Sequence, residues 1–109
     1  MNGDGSALAD RVRALLTAHS TREVPMFGGL SFMVDEKMVV SVRPGAELLA
    51  HVDPERSPHL VTLPGARPAE MGAGRAMGPG WISVSADVIE DDERLAFWVG
   101  EAVEYVGNR

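Results

Sequence analysis

The stretch from Glu23 to Val42, Glu-Val-Pro-Met-Phe-Gly-Gly-Leu-Ser-Phe-Met-Val-Asp-Glu-Lys-Met-Val-Val-Ser-Val, constrains this chain more than any other. Leu30, Phe32 and Val34 alternate with Ser31, Met33 and Asp35, the period of a half-buried strand. Asp35-Glu36-Lys37 makes a hairpin turn without the Asn-Gly pair that marks such turns most strongly. Met38 to Arg43, rich in valine, is the second strand. Upstream, Ser20-Thr21 reads as a loop, and Pro25 prevents a preceding helix from running on. Gly28-Gly29 therefore joins a helix-side segment to a strand. Phosphate-cradling glycine motifs have the opposite order, strand to helix N-terminus, and need further glycines or a lysine. The two glycines instead allow positive φ or close backbone approach, with Phe27 anchoring the corner and Met26 left exposed.

Periodicity supplies the remaining elements. Leu8, Val12, Leu15 and Leu16 have the i, i+4, i+7, i+8 spacing of one buried face, so a helix over about 6–19 is expected, preceded by a frayed, disordered 1–5. After the hairpin, Pro44-Gly45 signals a turn and Leu48 to Val52 a third strand. Asp53-Pro54-Glu55 has the order of a cap, a proline at the first helical position and a first-turn acid. Pro58 restricts this segment to one short irregular helix between 54 and 63, or one restarted with Ser57 as cap. A short strand is expected at Arg67 to Met71, then a glycine-rich, flexible stretch, then a last strand at Trp81 to Ser85. Asp91 caps a final helix whose Leu95, Trp98, Val99, Ala102, Val103 and Val106 form one stripe, ended by Gly107-Asn108. No linker or repeat divides the 109 residues, and a single domain over 1–109 is the reading.

Charge and composition narrow the function. The net charge is −6, and residues 85–109 carry seven acids against Arg94 and Arg109. With a single lysine, the chain lacks the clustered cations that neutralise nucleic-acid phosphates, which argues against direct nucleic-acid binding. There is no cysteine, hence no disulfide, thiolate ligand or thiol nucleophile. No secretory signal pattern and no apolar run of spanning length is visible, so a cytoplasmic protein with no membrane association is expected.

The polar residues assemble no catalytic or metal pattern. His19, His51 and His59 fall on different elements without the i, i+4 partner of a helical metal pair. Asp91-Asp92-Glu93 points in several directions around a helix and reads as capping and dipole compensation. No serine sits in a Gly-x-Ser-x-Gly elbow. We therefore expect no catalytic residues, no cofactor and no metal. Methionines 26, 33, 38, 71 and 77 fill gaps in a small core or make an adaptable contact surface. Arg67 and Arg75, with Arg43, either scatter on a solvated surface or gather near the glycine-rich loop to receive an anion or acidic partner.

Met26-Phe27-Gly28-Gly29-Leu30-Ser31-Phe32, the turn at Asp35 to Met38, Leu49 to Asp53, Arg67-Pro68 with Met71, and Gly80-Trp81 resemble the TfoX N-terminal-domain family over roughly residues 8–106. The family is bacterial and named for a regulator of competence. The resemblance implies an α+β fold of two layers, in the order α-β-β-β-α-β-β-α. One antiparallel sheet of about five strands carries helices on one face, as in secretion-chaperone-like folds where homodimers are common. Relatives often place a basic residue where this chain has Pro25, and their loop before Gly80-Trp81 is shorter. The leading expectation is a small non-enzymatic interaction or regulatory module, homodimeric, with an unidentified protein partner. The alternatives are a competence- or transcription-linked regulator touching DNA directly, and a small-molecule binder with the 72–80 loop as lid. The expected interaction or ligand surface comprises Met26, Phe27, Gly28, Gly29, Arg67, Met71, Arg75 and Met77.

Overall fold

The computed structural model describes residues 6–17, 19–26, 29–43, 45–70 and 74–107, leaving aside the side chains of Ser6 and Met26. The stretch 1–5, expected to be frayed, lies outside the described residues. Helix α1 (Ser6–Leu15) precedes four strands, β1 (Thr21–Met26), β2 (Gly29–Val34), β3 (Lys37–Arg43) and β4 (Glu47–His51). Next come α2 (Ser57–Leu60), β5 (Ala66–Pro68), β6 (Trp81–Val84), α3 (Ala86–Ile89) and α4 (Asp92–Gly107). All strand pairs are antiparallel, in the spatial order β1-β2-β3-β4-β6-β5. The α+β class and the antiparallel sheet stand as expected, but the strands number six and a fourth helix, α3, is added.

The additional strand is β1, in the segment expected to be a loop. Thr21 to Met26 pairs along its whole length with β2, from Thr21↔Val34 to Met26↔Gly29. Pro25 suggests a loop, yet β1 is the edge of the sheet, where a missing N–H can face away from the ladder. Helix α1 is correspondingly shorter than expected and ends at Leu15, with the Leu16 N–H still donating to the Val12 and Arg13 carbonyls.

Register assigns the core. Leu30, Phe32 and Val34 share a face with Val42, Val40, Leu48, Ala50, Val84 and Ile82. Leu8, Val12 and Leu16 of α1 and Leu95, Trp98, Val99, Ala102 and Val106 of α4 complete the cluster. Between Phe32 and Met33 the β2–β3 register shifts by one residue, leaving Val39 unpaired. A bulge of this kind turns two successive side chains toward one face. Val39 and Val40 are both fully buried, which explains why β3 is apolar without clean alternation.

The turns use local chemistry. Asp35 and Glu36 form a two-residue loop between Val34 and Lys37 with φ of 53° and 67°, a left-handed turn built without glycine. Asp53 Oδ1 accepts from the Glu55 N–H at 2.9 Å, but α2 begins only at Ser57, with Arg56 rather than Ser57 at the cap position and Pro58 in its first turn. At α4, Asp91 Oδ2 accepts from the Arg94 N–H at 3.1 Å, the expected cap.

Candidate functional site

The face of the sheet away from α1 and α4 carries one row across five strands: Ser31, Ser41, Leu49, Ser83 and Arg67. The Ser31 hydroxyl donates to Ser41 Oγ at 3.1 Å, and Ser41 in turn to the Leu30 carbonyl at 3.3 Å. Ser83 Oγ lies 3.5 Å from Glu47 Oε1, while the other oxygen of that carboxylate accepts from Arg67 Nη2 at 2.7 Å. A serine activated as nucleophile needs a base in short contact and free to take its proton. These serines have other hydroxyls, a carbonyl and an arginine-bound carboxylate. Every buried side-chain nitrogen or oxygen described has a hydrogen-bond partner.

Of the expected surface residues, Gly29 lies beside Arg43, which reaches the segment that leads to Arg75 and Met77. Gly29 pairs with Met26 across the β1–β2 ladder and lies against the end of β3. A Cβ at position 29 would stand 2.1 Å from the Val42 carbonyl oxygen and 3.1 Å from Arg43 Cα. The close approach therefore accounts for this glycine. Arg43 is paired in register with Glu47, and its Nη1 donates to the Glu70 carbonyl at 3.3 Å. Three strand spacings, about 14 Å, separate β3 from β5 within the sheet, beyond an arginine's reach. The chain after β5 must therefore fold back over the open face, where Glu70 bridges Ala76 and the Met77 N–H donates to the Ala69 carbonyl.

That geometry separates the arginines. Arg67 is held by Glu47, and Arg43 by a backbone carbonyl. Arg75 is exposed with no ion pair among the described residues, and Met77 is half-buried. Phe27, Gly28, Met71 and the Met26 side chain lie outside the described residues. The three histidines stay apart. His51 stacks on Trp81 at 4.0 Å, meets Tyr105 edge-on at 5.3 Å and has Nδ1 3.3 Å from the Met38 carbonyl, whereas His19 and His59 are exposed. Among the described residues no three His, Asp or Glu side chains group as a metal site, and no helix is long and apolar enough to cross a membrane.

A second surface lies outside the expected set. Between the end of α1 and the outer side of α4 runs a groove of about 470 Å³, lined by Leu15, His19, Ala96, Phe97, Gly100 and Val103 together with Val99 and the acids Glu101 and Glu104. Among the described residues, Leu15 and Phe97 are the two large apolar side chains left exposed, at 41% and 40%. The spacing of Leu15 from Leu8 fits the buried face, but in the structure Leu15 is exposed and Leu16 beside it is buried. Phe97 does carry a sequence signal: it stands outside the Leu95, Trp98, Val99, Ala102 stripe, on the polar side of α4.

Gly100 is the least accounted for residue in this groove. It sits in the middle of a sixteen-residue helix, and a Cβ there would meet nothing within 4 Å. A mid-helix glycine costs roughly 1 kcal/mol relative to alanine, and no contact inside the chain requires it.

Electrostatic ties fix α1 beside α4 and β1. Arg11 Nη2 donates to Asp92 and the Ile89 carbonyl, both at 2.8 Å, at the start of α4. Arg13 donates to Glu23 on β1 and to Asp10, and the guanidinium–carboxylate hydrogen bonds hold the Glu23 carboxyl below its ordinary range. Arg56 of the loop before α2 forks onto Glu101, at 2.9 and 3.1 Å. Arg94 and Glu104, flanking Gly100 on the outer side of α4, make no ion pair among the described residues.

No curated protein matches the chain. The family model described as the TfoX N-terminal domain matches residues 14–106, from the last two residues of α1 through β1 and the sheet to the last turn of α4. The match covers nearly the whole chain, and the chain belongs to the TfoX N-terminal domain family.

Proposed function

We propose that this chain is a small, non-enzymatic protein-interaction module of the cytoplasm that works through contacts of its folded surface. One observation carries this reading. Leu15 and Phe97, the large apolar side chains that stand exposed among the described residues, both line one groove. Exposed apolar side chains gathered in one groove, rather than scattered singly, mark contact surfaces. The satisfied serines and the carboxylate held by Arg67 support the non-enzymatic side of the reading.

The test is affinity capture with the immobilised chain, comparing the wild type with Phe97→Glu at matched melting temperature. Wild-type chain retains a stoichiometric protein species that the variant releases. Identical retention by both, together with a small metabolite that raises the melting temperature of both, would replace the reading with that of a ligand-binding protein.

A further inference from the structure

Resting on that reading, we infer that the occupant of the α1–α4 groove is a second copy of this chain, with the two α4 helices antiparallel and crossing at Gly100. The first argument is the glycine. The missing Cβ serves no contact within the chain, but it lets another backbone approach the helix closely where Phe97 and Val103 stand to either side.

The second argument is self-complementarity. The outward stripe of α4 reads Glu93, Phe97, Gly100, Glu104, at i, i+4, i+7 and i+11. If two such helices ran parallel about a two-fold axis, each glutamate would face its own copy. An antiparallel two-fold at Gly100 sets the two glycines against each other, with Phe97 at the axial level of the partner's Val103 and the glutamates at those of the partner's Gly107 and Ala96. It also carries Arg94 to within about 3 Å along the axis of the partner's Glu104, on the same side of the helix pair. Within one copy these two residues are ten positions apart, about 15 Å along the helix, too far to pair. The arrangement that covers Phe97 thus also gives Arg94 a carboxylate partner.

The experiment is sedimentation equilibrium from about 1 to 500 μM. Wild type reaches twice the 11.7 kDa chain mass. Phe97→Glu stays at the monomer mass. Gly100→Ala raises the melting temperature measured at monomeric dilution yet weakens dimerisation tenfold or more, opposite signs that general damage does not produce. Arg94→Glu and Glu104→Arg each weaken the dimer, and the double variant restores it, which only a contact between copies explains. A wild type monomeric at every concentration overturns the inference, as does a dimer indifferent to Gly100→Ala or a charge swap without rescue. Capture of another protein through Phe97 by a monomeric chain overturns it too, while leaving the interaction reading intact.

Discussion

Helix α4 has two sides that differ in what explains them. On the inner side Trp98 is 1% exposed and sits among Val99, Ala102 and the β-sheet valines, so its identity follows from the fold. One position earlier, Phe97 touches Trp98 edge-on at 5.4 Å but leaves 40% of its surface in solvent. The inner side is determined by this chain. The outer side carries an aromatic ring, a glycine and an Arg94 without an ion pair among the described residues, none of which folding alone asks for. Residues that a fold leaves unexplained are where contacts with other molecules are to be sought.

The largest expected effect tests that contrast directly. Trp98→Ala removes a fully buried ring and should lower stability by about 3–5 kcal/mol in urea unfolding. Phe97→Ala should lose about 1 kcal/mol or less at monomeric dilution, because much of its area is already hydrated. Comparable losses at the two positions would break the distinction between the sides.

Glycines repeat the comparison at smaller scale. At Gly29 a Cβ would collide with the Val42 carbonyl at 2.1 Å, so Gly29→Ala should cost about 1–3 kcal/mol as β2 and β3 are forced apart. At Gly100 the space is open, and Gly100→Ala should add about 0.5–1 kcal/mol to the monomer. Thermal unfolding of the two variants at low protein concentration should move in opposite directions. A destabilised Gly100→Ala monomer would mean that the glycine is needed by the fold after all.

Much of this fold is legible in the sequence, and the exceptions have physical reasons. Period-2 and period-3.6 patterns mark β2, β6, α1 and α4 because each buries one face on one core, and the Pro44-Gly45 turn announces β4. Strand β1 escapes because an edge strand needs half the hydrogen bonds and tolerates Pro25 and charged Arg22 and Glu23. Helix α3 escapes because four residues give no periodicity to read. The Gly28-Gly29 pair marks a corner, though one leading from strand β1 rather than from a helix. Which of its two permitted roles Gly29 plays depends on the distance to Val42, which no local pattern encodes. Likewise Arg67 reads as a possible anion receptor until register sets Glu47 within its reach. The groove depends on Leu15 facing solvent. Leu15 is surface and Leu16 beside it core, a division the spacing from Leu8 does not show.

The smallest effect separates surface charges that have a partner in the chain from those that do not. Glu23 accepts two hydrogen bonds from Arg13, and these lower its carboxyl pKa in the folded state. A carboxyl depressed on folding contributes stability above its unfolded range, near pH 4.3. That contribution fades as the pH falls through the lower folded value. Glu23→Gln should therefore melt slightly below wild type at pH 7, and the difference should vanish well below pH 4. Both residues lie at the surface, so added salt should shrink the gap at neutral pH. Arg94→Gln should leave monomer melting unchanged across the same range, since its guanidinium has no carboxylate among the described residues to lose. A pH-dependent loss at Arg94 equal to that at Glu23 would place a partner for it inside the monomer and remove the charge argument for the outer side of α4.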